Sequence, residues 1–324
     1  ENDMSRRMFL ECAAAAFAGG ALLTPARAVP EQDRLVMPPG RERSRVVVAR
    51  SSEVVDGSQV HRALLREMLT ATLIELVPPA RTETEAWKVL LRPEDVIGIK
   101  FNRSAQEVLN TSASVGGALI ESIVRAGWPA DRIVCIEGPE CLAAEFGTQR
   151  QLPGYSAEVH GFGSGADQLA AVVNQVTVLI DVPFLKTHNI AGFTCTLKNL
   201  SHGLIRHPAR YHDNGCSPYI ADIVGGTPIG GKLRLCLVDA LRIVYAGGPD
   251  ATAETVEDAG VLMASVDPVA ADVQGLALLN EIRRKRRLPP VAKGPESVGY
   301  LAAAHRRGLG VALPHGIEVV RVPV

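Results

Sequence analysis

The chain has 324 residues, 34 basic against 35 acidic side chains for a formal net charge of -1, 47% hydrophobic and 4% aromatic residues, and 30 glycines. These proportions describe a globular protein and exclude disordered, collagen-like and coiled-coil classes. A near-neutral balance gives nucleic acid or an anionic membrane no electrostatic claim as the main partner, so a charged ligand has to be held locally.

Arg6 and Arg7 stand in Ser5-Arg6-Arg7-Met8-Phe9-Leu10, followed by an Ala- and Gly-rich apolar run from Cys12 to Leu23 and by Thr24-Pro25-Ala26-Arg27-Ala28. Paired arginines, a short apolar stretch and an Ala-x-Ala site predict a twin-arginine export signal over residues 1–28, cleaved after Ala28. The run is shorter than the about 20 residues of a bilayer span, so no stable membrane span is expected after cleavage. An uncleaved N-terminal anchor is the rival reading. The implied partner in transit is the twin-arginine translocation machinery, and the implied location is periplasmic or otherwise extracytoplasmic. Cleavage removes Arg6, Arg7 and Arg27 together with Glu1, Asp3 and Glu11, which leaves the net charge at -1. Residues 29–44, with Pro38-Pro39-Gly40, read as a polar linker, and a single α/β domain is expected over 45–324.

Short apolar, β-branched runs follow at Arg45 to Ala49, Val96 to Phe101, Arg132 to Glu137, Val176 to Val182, Leu233 to Asp239, Val261 to Ser265 and Ile317 to Val322. Helix-period segments lie between them at Ser58 to Leu76, Ser114 to Gly127, Ala166 to Val173, Pro268 to Arg284 and Glu296 to Arg307. This alternation predicts an α/β fold with a mostly parallel sheet and helices on both faces. Polar residues just past the strand ends are then the first place to seek a site. The basic run Arg283-Arg284-Lys285-Arg286-Arg287 closes a helix, where cations complement the helix dipole, and is read as a solvated helix end.

After loss of Cys12 five cysteines remain: Cys135, Cys141, Cys195, Cys216 and Cys236. An odd number leaves at least one unpaired, and no C-x-x-C spacing supports a zinc ribbon, a redox dithiol or an iron–sulfur cluster. Cys236, inside Leu233 to Val238, reads as a small buried hydrophobe.

The stretch from Asp181 to Asp222 holds four of the eight histidines and begins at a strand end. Lys186, Lys198 and Arg210 are suited to neutralising a carboxylate or phosphate, with Asn199 and Asn214 as further ligand contacts and His188 or His212 moving a proton. Asp181 or Asp239 would orient these groups. Alternatively, His188, His212 and Cys216 offer nitrogen and sulfur donors to a transition metal. Taken singly, each of these residues also fits a surface or loop role. Asp239 follows an apolar run without an evident cap or turn to explain it, whereas Asp267 before Pro268 reads as a helix N-cap. Asp222 and Asp272 fall on expected helices.

Several of these motifs together resemble a known family. They are Ile99-Lys100-Phe101-Asn102, Asp181-x-Pro183-x-Leu185-Lys186-x-His188, Gly192-x-Thr194-x-x-Leu197-Lys198-Asn199 and Pro208-x-Arg210-x-His212-x-Asn214-x-Cys216-x-Pro218-Tyr219-Ile220-Ala221-Asp222. Asp239-Ala240-Leu241, Gly247-Gly248-Pro249 and Asp267-Pro268-Val269-Ala270-x-Asp272 continue the pattern. On these residues the chain is similar to the domain of unknown function 362 proteins, in their exported, twin-arginine form. Some relatives carry a ferredoxin-like segment with clustered cysteines; this chain lacks it, so the resemblance implies no cluster here.

Gly161-Phe162-Gly163-Ser164-Gly165-Ala166 fits G-x-G-x-x-A, but Ser156 to His160 is a short, polar lead-in and the motif falls mid-chain, so a turn is expected there and not a dinucleotide fingerprint. Serine-hydrolase, zincin and Walker motifs are lacking. The expectation is an exported enzyme or cofactor-dependent protein that holds a small anionic ligand in a Lys/His/Arg-lined cleft. The alternative is a periplasmic metal-binding or metal-delivery protein, and a scaffold without chemistry is a third.

Overall fold

The computed structural model describes residues 43–324. The expected export signal, and the linker up to residue 42, lie outside the described residues. No helix among the described residues is long and apolar enough to cross a membrane.

The strands are β1 (Ser44–Arg50), β2 (Val55–Asp56), β3 (Gln59–Val60), β4 (Ile97–Phe101), β5 (Ile133–Ile136), β6 (Gln149–Arg150) and β7 (Tyr155–Phe162). They continue with β8 (Gly165–Ala170), β9 (Val178–Val182), β10 (Phe184–His188), β11 (Gly192–Thr194), β12 (Leu233–Val244), β13 (Val256–Ser265) and β14 (Ile317–Pro323). Ten of them form one sheet in the order β14-β1-β13-β12-β9-β4-β5-β6, with β10 beside β12 and β11 beside β10. The pairs of β12 with β9, β9 with β4, β4 with β5 and β5 with β6 are parallel, as are β14 with β1 and β10 with β12. The pairs of β1 with β13, β13 with β12 and β10 with β11 are antiparallel. The sheet is therefore mixed and mostly parallel, as expected.

Helices cover both faces, because alternate side chains of the central strands feed two separate cores. On one side Ile97, Ile99, Ile180, Leu235 and Leu237 pack with the helices Arg62–Leu76, Glu83–Leu90 and Ser112–Arg125. On the other, Leu179, Cys236, Val238 and Met263 pack with Thr196–His202, Tyr219–Gly225, Pro268–Lys285 and Gly299–Arg306. Cys236 is fully buried, in keeping with its apolar run. Trp87 is likewise fully buried, and its indole N–H donates to Ser122 Oγ at 2.7 Å, so the large ring fills the core without an orphaned donor.

Two expectations, on the stretch from Ala166 and on the strand before Asp239, are corrected. The helix expected over Ala166 to Val173 is instead β8 followed by a single turn, Val172–Gln175. There Asp167 and Leu169 alternate inward, and Asp167 is drawn in by the backbone N–H of His207 at 3.0 Å. The G-x-G-x-x-A stretch makes a turn, as expected, in the β7–β8 hairpin: Phe162 pairs with Gly165, so Gly163 and Ser164 form it. The strand expected to end at Asp239 runs on to Val244, which places Asp239 inside β12 and not at a rim. The helix Glu83–Leu90, capped by Thr82, had no counterpart in the sequence reading.

Asp267 caps the helix Pro268–Lys285 as expected, accepting from Val269 N at 2.8 Å and Ala270 N at 2.9 Å. Its other oxygen accepts from Val311 N at 2.9 Å and from the Ser44 hydroxyl, so one buried carboxyl ties β1, the helix and the C-terminal loop together. With several donors losing their acceptor at once, Asp267→Ala is expected to lower the unfolding free energy by about 3 kcal/mol, measured by urea denaturation. Asp267→Asn, which keeps an oxygen for the cap, is expected to lose less.

Candidate functional site

Four neighbouring strands place one residue each in a row across the sheet. Ile136 of β5 is the register partner of Lys100 in β4, Lys100 of Asp181 in β9, and Asp181 of Cys236 in β12. Lys100 and Asp181 are fully buried. Asn199, one turn into the helix Thr196–His202, joins them: its Nδ2 donates to Asp181 Oδ1 at 2.7 Å, while its Oδ1 accepts from Lys100 Nζ at 3.1 Å. Lys100 Nζ also donates to Phe101 O at 2.6 Å and to Glu137 Oε2 at 2.8 Å. The ammonium thus has three acceptors, as its burial requires. A Cβ at Gly203 would lie 2.5 Å from that nitrogen, which explains the glycine. The helix carrying Asn199 is anchored by Asp272, whose Oδ1 accepts from Thr196 N at 2.7 Å and Thr196 Oγ1 at 2.6 Å.

Burial pushes Asp181 well above the ordinary carboxylate range, against the pull of Lys100 and the Asn199 amide, and leaves its Oδ2 without a partner. Burial therefore favours the protonated carboxyl of Asp181 over the carboxylate. Asp239 is pushed up to about 6 by burial, accepts from Thr111 Oγ1 at 2.7 Å, and sits inside its strand as a structural group. Asp222 pairs with Arg307 at 2.6 Å.

Next to this bridge lies a group of cations and imidazoles. Lys186 of β10 donates to Asn102 Oδ1 at 3.2 Å and to Ser104 O at 2.9 Å. Burial lowers it to about 8, with Asp250 and Glu137 opposing and Lys198 and Lys100 adding to the shift. Lys198 is also lowered to about 8 by burial, and its Nζ meets His212 Nε2 at 3.3 Å. Neither Lys186 nor Lys198 has a carboxylate within ion-pair distance among the described residues. Beside the cluster opens a cleft of about 1180 Å³ whose lining includes Arg103, Glu137, Cys141, Arg150 and Asp250.

The hydrogen bonds assign the imidazole tautomers. His188 Nδ1 accepts from Ile190 N at 3.1 Å and Ala191 N at 3.2 Å, so the ring proton is on Nε2. Burial, then Lys198, lowers this histidine to about 4 and holds it neutral. His212 Nδ1 donates to Pro208 O at 3.0 Å, which keeps a lone pair on Nε2. Burial and Lys198 lower it as well, so it is a neutral base. His202 stands edge-on to His212 with ring centroids 4.6 Å apart, and donors of His202, His212 and Cys216 lie within 4.8 Å of one another.

Of the residues expected from sequence, Lys186, His188, Lys198, Asn199, His212, Asp181 and Cys216 share this region. Arg210 and Asn214 do not join them. Arg210 is exposed and bears on the Tyr211 phenol, and Asn214 is exposed with its Nδ2 donating to Ser217 O at 3.2 Å. The expected donor set His188–His212–Cys216 is replaced by His202–His212–Cys216, because His188 Nδ1 already faces two backbone donors. Sequence reasoning missed Lys100, Glu137 and His202 as site residues. A lysine inside the apolar run Ile97–Phe101 was the available signal for the first.

Residues 156–277 match the model of the family described as Domain of unknown function (DUF362). The chain carries a DUF362 domain. This span includes Asp181, the β10 lysine and all three imidazoles of the cluster, whereas Lys100, Asn102 and Glu137 come from outside it. Among solved structures, the lactate racemase apoprotein of Thermoanaerobacterium thermosaccharolyticum is similar at 11% identity, over 89% of this chain and 85% of that one, with a TM-score of 0.43. A protein of Thermotoga maritima is similar at 10% identity, over 83% and 89%, with a TM-score of 0.42. Likenesses at this level carry no argument about activity. No curated protein matches this chain.

A carboxyl whose folded pKa lies above its unfolded value costs stability progressively as pH rises through that interval. Asp181→Asn is therefore expected to gain on the wild type in urea-unfolding free energy as pH rises above the ordinary carboxylate range. Asp181→Ala, which strips Asn199 of its acceptor, is expected to cost about 1–3 kcal/mol. A wild type that outperforms Asp181→Asn increasingly toward high pH would show that the carboxyl is ionised in the fold.

Proposed function

We propose that this DUF362 protein is exported and binds a small carboxylate or phosphate between Lys186 and Lys198, with His212 as the group that takes or gives a proton. The observation that carries this reading is two buried ammonium groups, each lowered to about 8, with no carboxylate partner within ion-pair distance among the described residues. A buried cation without a counter-charge is costly, and an anionic ligand removes that cost. At neutral pH a lysine with a pKa of about 8 is still roughly nine-tenths protonated, so both groups present charge to a ligand. Export is supported by the twin-arginine pattern around Arg6 and Arg7. Glu137 and Asp250, both of which act on Lys186, line the neighbouring cleft.

His212 fits proton transfer because its Nε2 lone pair meets Lys198 while Nδ1 is committed to Pro208. His188 is committed through Nδ1 to two backbone donors and is the weaker acid–base candidate. The Arg210 contribution expected from sequence is not carried into this reading.

Isothermal titration of the purified protein with inorganic phosphate, pyrophosphate, acetate and succinate tests it. At least one of these is expected to bind, and Lys186→Met is expected to weaken it by roughly tenfold or more, the effect of losing a charge-assisted hydrogen bond. Affinity should hold below about pH 7 and fall as pH rises through about 8, where Lys186 loses its proton in the field of Lys100, Lys198, Glu137 and Asp250. No binding by any probe, or binding indifferent to Lys186→Met, overturns the proposal.

A further inference from the structure

We propose that His202, His212 and Cys216 form a three-ligand site for a transition metal, with the fourth position open beside Lys198. Their donor atoms lie within 4.8 Å of one another in a part-buried pocket. A tetrahedral ion with ligands at about 2.0–2.3 Å spaces them by roughly 3.3–3.8 Å, so this set needs to contract by about an ångström.

Both rings are prepared for ligation. His202 Nε2 donates to Tyr211 O at 3.2 Å and His212 Nδ1 to Pro208 O at 3.0 Å, so each imidazole is oriented by a backbone carbonyl and keeps one lone pair. Metal-bound histidines are held in this manner, with the second nitrogen bonded to a carbonyl or carboxylate. The Ser201 hydroxyl lies 2.9 Å from His202 Nδ1 and 3.2 Å from Lys198 O, and its single proton can serve the carbonyl. The third donor is delivered by an unusual backbone: Asn214, Gly215 and Cys216 are all left-handed, with φ of 51°, 62° and 63°. That conformation disfavours the two side chains present, and it brings the thiol of Cys216 under the histidine pair.

Two nitrogens and one sulfur select zinc, cobalt(II) or copper over calcium and magnesium, which prefer oxygen. On binding, the Cys216 thiol gives its proton to solvent and the thiolate bonds the ion. Lys198 must release His212 Nε2, which frees its ammonium for another partner. A divalent ion with one thiolate adds one net positive charge to an already cationic pocket, so the open position favours an anion over a neutral ligand.

The test uses the full protein, stripped of metal by chelator and titrated with cobalt(II) alone in a buffer free of coordinating anions. One equivalent is expected to produce a thiolate-to-cobalt charge-transfer absorption and the strong visible bands of a tetrahedral site. Cys216→Ser should abolish the charge-transfer band. His202→Ala should weaken binding at least tenfold, and His188→Ala should leave the band in place. Circular dichroism and thermal unfolding of the metal-free variants confirm that each one folds. A folded wild type without the charge-transfer band overturns the site with no variant needed, and a band lost in His188→Ala but kept in His202→Ala overturns the donor set. Because cobalt is read without any anion, failure here leaves the phosphate and carboxylate titrations standing, and failure there leaves this site standing.

Discussion

A lysine in the middle of a parallel sheet has to place its charge somewhere, and the architecture around Lys100 is the answer to that constraint. Its ammonium leaves the row of sheet side chains toward Glu137, the Phe101 carbonyl and Asn199, and Asn199 in turn holds Asp181 on the next strand. Gly203 is small because the lysine passes there. The helix Thr196–His202 is thereby locked over β4 and β9, and every cluster residue on that helix or just after it takes its position from this lock. Three strong hydrogen bonds to a buried cation are worth more together than any one aliphatic contact in the same core.

The electrostatics beyond the lock are one-sided. Lys186, Lys198 and the imidazoles of His188, His202 and His212 lie close enough to depress one another, and burial is the largest cause for each. Proteins rarely leave such a group uncompensated unless something else completes it. The same crowding keeps the three histidines neutral, which is the state a base or a metal ligand needs. One physical cause, dehydrated positive charge, thus prepares the region both for anions and for soft cations.

Much of this frame was legible in the chain itself. Short apolar, β-branched runs located the sheet, and Asp267 before proline announced the cap that it makes. The crowding of polar residues from Asp181 to Asp222 pointed to the region where Lys186, Lys198, His188 and His212 gather, because such residues after a strand end seldom serve packing. Other features were hidden for identifiable reasons. β8 carries an aspartate on its inward face, so its alternation did not read as hydrophobic, and its helical appearance came from alanines. His202 and His188 look alike as letters; only the backbone donors at Ile190 and Ala191 separate them. Arg210 shares the loop of the cluster yet faces Tyr211, since spacing along an irregular segment does not fix direction.

The position of Lys100 has a bearing on how the molecule can be divided. The DUF362 span runs from residue 156 to 277 and takes in β9, β12 and the helix that Asp272 anchors, but β4, the strand lying between β9 and β5, belongs to the preceding stretch. A segment cut at those limits would expose the flank of β9 and leave Asn199 facing an empty groove where an ammonium belongs. The recognisable unit of sequence and the cooperative unit of structure therefore have different borders, and an excised or transplanted version must carry the β4 segment with it to keep the site.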